Sequence, residues 1–486
     1  DVLVKQAGSS GHVSSSNPGD LNDPSYIRKD VVNQHLGIDP KNIFFADHSS
    51  SHAAYAYYMS PNCLKEGSTL VLTLDAFGDD VNYSASIFRR SNEGFCSKEV
   101  VSQGNSFIIG RLYRYITLIL GLKPNEHEYK VMGMAPYCKD QYSENLLSVF
   151  KTFQEVEGLH FVYKNKPADM YFSIRSLLEG ERFDSICGAV QRYTEYLVTQ
   201  WVENLVSTTG VSEICLAGGV GMNVKANMLV AKNDCVKSIF VPPSPDDSSQ
   251  AMGSVLEYLS SKGNIPLESN GFTPYLGSFP SRCFHQSMDC DSVNNLFDSG
   301  YSVRHFDIDY LVTLLSEGLI VARCCGREEF GARALGNRSI IADPRNESVK
   351  KKINEKIKNR DFWMPFACSV IEPKAKDYFL LDSDIDSYQY MTLCCETTEL
   401  GGRSLPAALH PYDGTCRPQI VKRDINPGYY DLIQKFGDLT GVYGLLNTSF
   451  NLHGLPIVSS AEDALIVMEN SSLDALVFDS LLITRD

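Results

Sequence analysis

Apolar residues along the chain follow the two repeats that distinguish strands from helices. Short apolar runs at 69–74 (TLVLTL) and 213–217 (EICLA) predict buried strands, and the alternation at 82–90 (NYSASIFRR) predicts a strand paired with a neighbour. Helical periodicity is clearest at 183–208. Because predicted strands alternate with predicted helices, we expect an α/β fold.

A polar segment at 260–275, rich in Ser, Gly, Asn and Pro, separates two groups of predicted elements. A chain of 486 residues is also too long for a single hydrophobic core. We therefore predict two α/β domains, at 1–262 and 272–486. Further helices are predicted at 106–121, 222–231 and 246–261, and further strands at 43–47 (IFFAD), 237–243, 319–325, 365–371, 388–395 (YQYMTLCC), 443–450 and 475–484 (ALVFDSLLIT).

Composition and charge exclude several classes of protein. The net charge of −15 argues against a general binder of nucleic acids or membrane surfaces. The best candidate for a membrane span, FIIGRLYRYITLILGL, is interrupted by Arg111 and Arg114. The 14 cysteines include no CxxC pair, which favours free, buried thiols in a reducing compartment. We therefore expect a cytoplasmic protein.

Two histidines stand four residues apart in FFADHSSSHAAYAYY (44–58), a stretch that favours a buried helix. On a helix, His48 and His52 share one face and both imidazoles can reach one ion. Asp75 ends a predicted strand and Asp247 opens a predicted helix, so two carboxylates are available to complete a divalent-metal site. The alternatives are two polar residues at a helix start, and a simple N-cap role for Asp247.

Glycines interrupt the chain after a buried strand in LAGGVGMN (216–223). Gly218 and Gly219 allow the backbone to approach a ligand, and the amides of the following helix can face nucleotide phosphates or ribose. The motif is neither a Walker loop nor a GxGxxG fingerprint, and such glycines are also common as purely structural turns.

The segment 323–360 is basic within an acidic chain, with eleven Lys or Arg against five Asp or Glu. In GARALGNRS, small residues interleave with Arg333, Asn337 and Arg338, which indicates a close-fitting anion pocket. Lys350–Lys352 are also typical of a solvated helix face. Two other polar groups are the alternating Asn447, Ser449 and Asn451 in LLNTSFN, and His410, Asp413, Thr415 and Arg417 in HPYDGTCRPQ.

Taken in order, these motifs closely resemble those of the NodU-type O-carbamoyltransferases, which modify natural products and Nod factors. The resemblance runs from about residue 40 to the end. It implies a Kae1-like domain of the actin and Hsp70 type at 1–262, followed by a YrdC-like twisted α/β domain at 272–486. The matching motifs are HSSSHAA, LTLDAFGD, EYKVMGMAPY, LAGGVGMN, PDDSSQAMG, GREEFGARALGNRSIIADPR, DGTCRPQ and LLNTSFNLHGLPIV.

The resemblance also implies a two-step reaction. The YrdC-like domain would make carbamoyl adenylate from carbamoyl phosphate and ATP. The Kae1-like domain would then transfer the carbamoyl group to a hydroxyl of an acceptor with the help of a divalent metal, which is iron in the family. Adenylate is a good leaving group, and a metal with amide donors can stabilise the charge that develops on transfer.

Motif positions assign residues to these roles. The implied metal ligands are His48, His52, Asp75 and Asp247. The implied nucleotide site contains Lys130, Gly218, Gly219 and Asn223. The implied pocket for carbamoyl phosphate and ATP contains Arg333, Asn337, Arg338, Arg360, His410, Asn447 and Ser449, of which Arg333, Arg338 and Asn447 are the predicted catalytic residues.

The chain departs from the family pattern at several motif positions. Asp75-Ala76-Phe77-Gly78-Asp79 replaces LDG.GE, Ala332 replaces a proline, and Met364 replaces an arginine. The chain starts at Asp1 without a signal peptide, and we expect the opening strands of the family to lie upstream of it.

Three functional interpretations remain beside the leading one: a metal-dependent nucleotide-binding ATPase or regulator, an inactive scaffold, and a tRNA threonylcarbamoyl enzyme. The acidic charge disfavours the last of these, because a tRNA binder usually presents a basic face. The expected partner is a small-molecule alcohol, with no nucleic acid and no membrane. A homodimer is compatible with this interpretation.

Overall fold

In the computed structural model, which describes residues 24–91, 96–263, 265, 272–280 and 300–485, the strands form two main sheets. All strands of the first sheet come from the first half of the chain, and all strands of the second come from the second half. The first half contains β1 (Gly67–Leu74), β2 (Tyr83–Arg90), β3 (Cys96–Gly104), β4 (Gln154–Glu157), β5 (His160–Tyr163), β6 (Glu213–Ala217) and β7 (Ser238–Phe240).

Helices cover both sheets. Those of the first half are α1 (Pro24–Leu36), α2 (His48–Tyr58), α3 (Ile109–Ile119), α4 (Glu128–Met134), α5 (Asp140–Phe150), α6 (Met170–Leu178), α7 (Phe183–Thr209), α8 (Val224–Ala231) and α9 (Gln250–Ser261). Those of the second half are α10 (Ile308–Ser316), α11 (Ser348–Lys352), α12 (Ala375–Tyr378), α13 (Glu399–Ser404), α14 (Pro427–Thr440) and α15 (Ala461–Glu469).

The first sheet has the order β3-β2-β1-β6-β7 and is centred on the predicted strand TLVLTL. β1 pairs antiparallel with β2 and parallel with β6, and its last six residues are buried. A central strand covered on both faces needs a continuous apolar run, which explains why the sequence pattern predicts it well. The carboxyl ends of β1 and β6 therefore meet at the same edge of the sheet.

The second sheet has eight strands in the order β14-β11-β15-β10-β9-β16-β17-β8 and mixes parallel with antiparallel pairs. Its strands are β8 (Tyr301–His305), β9 (Val321–Cys324), β10 (Arg338–Ala342), β11 (Ala367–Ile371), β14 (Pro418–Val421), β15 (Gly444–Ser449), β16 (Ala475–Phe478) and β17 (Leu481–Arg485), while β12 (Phe379–Leu380) and β13 (Glu396–Thr397) pair separately. β10 pairs with β9 and β15, so GARALGNRS and LLNTSFN lie side by side.

The two halves are packed directly on each other. One apolar cluster joins Ala53 and Tyr57 of α2 to Leu335, Ala367 and Tyr390 of the second half. Polar contacts cross the same junction: Lys225 Nζ lies 2.6 Å from Asp413 Oδ2, and Trp363 Nε1 donates to Lys130 O at 3.2 Å. Any site at this junction is built from both halves.

Three strand predictions are wrong. The stretch IFFAD is an extended loop before α2, with the Phe44 side chain 46% exposed. YQYMTLCC is irregular because its side chains fill the junction, and only one bridge, Cys395 to Cys416, connects it to a neighbour. ALVFDSLLIT forms the hairpin of β16 and β17, because Asp479 adopts a positive φ of 46° and turns the chain.

Other sequence predictions have a mixed outcome. The twelve cysteines within the described residues are free, as predicted, and most are buried. Seven of the 16 residues of the predicted linker, and most of the first 40 residues, lie outside the described residues. Among the helices of the described part of the chain, none combines the length and apolar character needed to cross a membrane.

Candidate active site

Four predicted metal ligands converge at the edge where β1 ends. His48 Nε2 lies 2.8 Å from Asp75 Oδ2 and 3.2 Å from His52 Nε2. Asp247 Oδ1 completes the quartet at 3.2 Å from His48 Nε2 and 3.4 Å from His52 Nε2. Donor atoms around one ion at about 2.1 Å are themselves separated by roughly 3.0–3.4 Å. The quartet therefore has the donor types and the spacing that fit a divalent transition metal.

The neighbouring acids Asp246 and Asp247 have different roles. Asp246 is the cap, because its carboxylate accepts hydrogen bonds from Ser248 N at 3.1 Å and from Ser244 Oγ at 2.9 Å. Asp247 is not needed for capping, and its side chain, 71% exposed, faces the histidines. The structure thus separates two roles that the sequence left open.

Close packing of α9 on α2 brings Asp247 to the histidines. A Cβ atom at Gly253 would lie 2.1 Å from Ser51 O, so only glycine permits this approach. On its other side, α2 is held to the sheet by three buried hydroxyls, those of Ser49, Thr73 and Ser84, at 2.8–2.9 Å from one another. The helix is fixed from both sides, which preorganises the quartet.

Two glycines allow the backbone to pack closely on the sheet side of the quartet. Gly218 has a φ of 89°, and a Cβ there would lie 2.3 Å from Leu74 O. Its N–H donates to Pro245 O at 2.7 Å and so fixes the loop that carries Asp247. A Cβ at Gly219 would approach Asp75 Oδ1 to 3.2 Å. These glycines allow β6 and the 242–247 loop to lie against the end of β1.

Opposite charges in the quartet shift the pKa of each member. Hydrogen bonds to Asp247 and then Asp75 raise the pKa of His48 to about 10. Burial lowers the pKa of His52, but hydrogen bonds to the same two carboxylates outweigh it and leave the pKa raised. The His48 and His52 hydrogen bonds lower the pKa of Asp247. In the metal-free protein the His48 imidazole is therefore protonated at neutral pH, and a cation has to displace its proton.

A cleft of about 390 Å³ opens where α4 meets the second half of the chain. It contains several of the predicted ligand-binding residues from both halves. Its lining consists of Glu126, His127, Tyr129, Lys130, Lys358, Arg360, Met364, Ser449, Asn451, His453, Gly454, Leu455 and Pro456.

Two cations at the base of this cleft have no acidic partner among the described residues. Lys358 is 3% exposed; its ammonium contacts Ser449 Oγ at 3.1 Å and the Asn451 side-chain oxygen. Burial, with a smaller contribution from Arg360, moves the pKa of Lys358 well below its ordinary value. Burial also lowers the pKa of Arg360 to about 10. By contrast, Lys130 pairs with Asp361 at 2.9 Å.

Two more guanidinium groups connect the surroundings of the cleft with those of the metal quartet. Arg417 interacts electrostatically with Arg360 of the cleft, and Arg333 interacts with Arg417 and with Asp246. Burial and then the neighbouring Arg417 lower the pKa of Arg333 to about 9, and Asp246 acts in the opposite direction. Burial also lowers the pKa of Arg417, whose Nε has no hydrogen-bond partner among the described residues. Partly buried cations that form no ion pair with the described residues are costly, so this arrangement suits an anionic ligand.

Glu329 holds the GARALGNRS loop in place. Its Oε1 accepts hydrogen bonds from the backbone N–H groups of Leu335, Asn337 and Arg338 at 2.7, 2.8 and 3.1 Å. Burial raises the pKa of Glu329 although these N–H groups oppose the shift. A carboxylate that accepts hydrogen bonds from three backbone amides fixes the course of the irregular segment that leads into β10.

The substitution Glu329→Ala is expected to destabilise the fold by about 2–4 kcal/mol, because three backbone donors lose their acceptor. The measurement is the free energy of unfolding in urea. Glu329→Gln is the matched control, since it keeps an oxygen at the same place and should lose less. Equal stability of Glu329→Ala and the unsubstituted chain would contradict this role.

Some predicted anion ligands are hydrogen-bonded within the protein scaffold in this structure. Arg338 is fully buried and donates to the carbonyl oxygens of Cys325, Gly326 and Asn337 at 3.1–3.2 Å. Asn337 accepts from Arg323 at 2.9 Å and donates to Arg327 O at 2.7 Å. In this structure both side chains support the loop and do not line the cleft.

Two further predicted residues lie behind the cleft. Asn447 is buried and donates to Ala334 O at 3.1 Å and Ser369 Oγ at 2.9 Å. Its Oδ1 is buried without a partner in the described part of the chain. His410 lies at the junction of the halves, where its Nε2 is 3.0 Å from Gly133 O. Of the predicted anion pocket, Arg360 and Ser449 line the cleft itself.

The predicted nucleotide residues do not form one site. Lys130 lines the cleft, whereas Gly218 and Gly219 flank Asp75 in the metal quartet. Asn223 caps α8, accepting from Ala226 N at 3.0 Å, and its amide is bonded to Gln191. The four predicted nucleotide-binding residues therefore lie in three places: Lys130 in the cleft, the two glycines beside the quartet, and Asn223 in the protein interior.

Comparisons with known proteins agree with the motif pattern. The family models "Carbamoyltransferase N-terminus" and "Carbamoyltransferase C-terminus" match residues 24–256 and 312–485. Nodulation protein NolNO of Sinorhizobium fredii is 31% identical over 473 residues, covering 95% of this chain and 67% of that protein. Nodulation protein NolO of Bradyrhizobium diazoefficiens is 31% identical over 450 residues, covering 90% of this chain and 79% of that protein.

Similarity to solved structures is weaker. Full-length HypF in its phosphate- and nucleotide-bound form aligns with a TM-score of 0.27 and 19% identity, covering 39% of this chain and 23% of HypF. A score this low supports no argument about fold or function. The two family models and the nodulation relatives, by contrast, cover most of the chain. The chain therefore belongs to the carbamoyltransferase family and is a carbamoyltransferase enzyme.

Proposed function

We propose that the protein is an ATP-dependent O-carbamoyltransferase that works in two steps. The first step consumes water, carbamoyl phosphate and ATP, and yields carbamoyl adenylate, phosphate and pyrophosphate. In the second step a hydroxyl of a small-molecule acceptor bonds to the carbamoyl carbon, and AMP leaves. Two observations carry this proposal: a cleft that contains cations without acidic partners among the described residues, and a separate quartet of metal-type ligands.

The cleft is the proposed site of adenylate formation. Lys358 and Arg360 lie at its base without acidic partners among the described residues, so the phosphates of ATP and carbamoyl phosphate would neutralise them. Attraction between phosphate and these groups is stronger than in water because the surroundings have a low dielectric constant. Arg417 and Arg333 extend the same positive potential in the direction of Asp246 and the quartet.

The quartet is the proposed site of transfer. His48, His52, Asp75 and Asp247 would hold a divalent cation, for which the family resemblance implies iron. Bound there, such a cation would act as a Lewis acid on an oxygen of the adenylate. The turn beside Asp75 leaves room for a ligand to approach at Gly219, where a Cβ would meet only Asp75 Oδ1.

Strand order supports the proposed division of the two halves. Three antiparallel strands followed by two parallel ones, as in β3-β2-β1-β6-β7, is the arrangement expected of an actin-type, Kae1-like domain. The mixed eight-stranded sheet carries the predicted anion-binding motifs, in line with a YrdC-like, adenylate-forming domain. Because carbamoyl adenylate hydrolyses readily in water, an enclosed path between the two sites is expected.

Metal binding is expected to release protons. With the pKa of His48 at about 10 in the metal-free protein, a cation must displace at least one proton at neutral pH. Affinity should therefore rise roughly tenfold per pH unit for each proton released, between about pH 6 and pH 9. Calorimetry with Zn²⁺ as a redox-silent probe, in buffers of different ionisation enthalpy, measures this release. An affinity that does not depend on pH would contradict the assignment.

The proposed activity is tested by incubating the protein with ATP, carbamoyl phosphate and ferrous iron. Mass spectrometry should detect carbamoyl adenylate, and pyrophosphate should appear only when carbamoyl phosphate is present. Release of ADP or phosphate from ATP without carbamoyl phosphate would instead favour a metal-dependent ATPase and would overturn the proposal.

A further inference from the structure

Two histidine rings from different halves of the chain face the same cleft. The rings of His127 and His453 are nearly parallel, with 20° between their planes and 6.5 Å between their centroids. Both residues line the cleft that contains Lys358 and Arg360. Neither histidine is among the proposed metal ligands or the proposed phosphate-binding cations.

The spacing of the two rings is close to that of a slot for a flat aromatic group. Carbon atoms in contact lie about 3.5–4.0 Å apart, so a ring sandwiched between two others separates them by about 7 Å. The observed centroid distance of 6.5 Å is slightly shorter than this value, so the two rings must move apart to admit a base. A purine presents such a flat face, and its stacking on aromatic side chains stabilises binding.

The ring of His127 and the loop that carries His453 are each held by neighbouring groups. His127 Nδ1 accepts a hydrogen bond from Lys123 N at 3.1 Å, and the ring meets that of Tyr129 edge-on at 6.1 Å. The loop that carries His453 is closed by Asn451, whose Nδ2 donates to Leu455 O at 2.6 Å. A preorganised slot loses less conformational entropy when a base enters it.

The charges around the slot suit a nucleotide. Burial, followed by the ammonium of Lys130, lowers the pKa of both His127 and His453. The rings are therefore neutral at neutral pH. Lys130, Arg360 and Lys358 all lie close enough to His453 to lower its pKa, so cations for the phosphates stand beside the slot.

We propose that His127 and His453 clamp the adenine base of ATP between their rings, so that its phosphates extend toward Lys358 and Arg360. This inference rests on the proposed function, because it takes the cleft as the ATP site. It adds a recognition element for the base, whereas the cations recognise only phosphate.

The test compares ATP with inorganic tripolyphosphate, which carries the same phosphates without a base. The full chain is titrated with each ligand, and so are its His127→Ala and His453→Ala variants. Each variant should lose roughly 5- to 150-fold in affinity for ATP. Neither should change its affinity for tripolyphosphate. His453→Phe keeps a stacking ring and should retain most of the ATP affinity.

The control is His305→Ala, which removes a histidine of β8 that does not line the cleft and should leave both affinities unchanged. Unaltered ATP affinity in both alanine variants would overturn the clamp while leaving the proposed function intact. Equal losses for ATP and tripolyphosphate would also overturn it, because the rings would then act through the cations. If the unsubstituted chain binds neither ligand, the proposed function itself fails, and the clamp fails with it.

Discussion

Asp247→Ala is expected to lower carbamoyl transfer by roughly 10²-fold or more, with adenylate formation nearly unchanged. Losing one of four ligands weakens the binding of the cation. Without the cation, the transition state loses a Lewis-acid stabilisation of several kcal/mol. The side chain is 71% exposed and has no capping role, so folding should not be affected. Metal content after dialysis and AMP release from supplied carbamoyl adenylate, with methyl glucoside as the alcohol probe, measure the effect.

The matched control is the adjacent acid. Asp246→Asn should weaken the cap at Asp247–Ser249 and lower the free energy of unfolding by at most about 1 kcal/mol. It should keep stoichiometric metal. If both variants retain metal equally, Asp247 is not a ligand. If both lose it equally, the distinction drawn between the two acids is wrong.

Lys358→Met is expected to suppress adenylate formation about 10- to 150-fold, because one charge-assisted contact to phosphate disappears. Stability should change little. Methionine fills a similar volume and removes a buried charge, while Ser449 and Asn451 remain hydrogen-bonded to each other at 2.7 Å. Pyrophosphate release that depends on carbamoyl phosphate is the measurement.

Lys351→Met serves as the matched control for Lys358→Met. It removes a lysine from the same helical segment whose side chain is 78% exposed, and its activity should be unchanged. Normal pyrophosphate release by Lys358→Met, with the variant folded, would show that phosphate binds elsewhere.

The proximity of most of the quartet residues could be predicted from the sequence for a physical reason. His48 and His52 lie one helical turn apart, and Asp75 ends a central strand, so local periodicity already places three of the ligands. The fourth ligand depended on tertiary packing. Only the approach of α9 to α2 at Gly253 shows that Asp247, and not Asp246, faces the imidazoles.

The cleft was harder to predict because its cations stand in a long basic run. Lys358 lies in KKKINEKIKNR, where no spacing distinguishes an inward lysine from a solvated one. The structure resolves this with a π-helical turn, Ile353–Lys358, which follows α11 and changes the direction of the side chains. Lys351 is exposed on the same segment, as predicted for a solvated face.

Arginine roles within GARALGNRS also could not be separated by pattern. Arg333 and Arg338 have similar neighbours in the sequence, yet Arg338 donates to backbone carbonyls while Arg333 lies beside Arg417. Glu329, which organises the loop, was not singled out because its partners are backbone amides. Backbone amides occur at almost every residue, so the spacing of side chains in the sequence cannot identify them as partners.

The claim that two separate sites share the reaction is tested most directly by a two-by-two comparison. Asp247→Ala and Lys358→Met are each assayed with carbamoyl phosphate plus ATP, and with preformed carbamoyl adenylate plus methyl glucoside. We predict that Asp247→Ala releases pyrophosphate but fails to transfer from the supplied adenylate, and that Lys358→Met does the reverse. If both folded variants lose both activities together, a single shared site must replace the two.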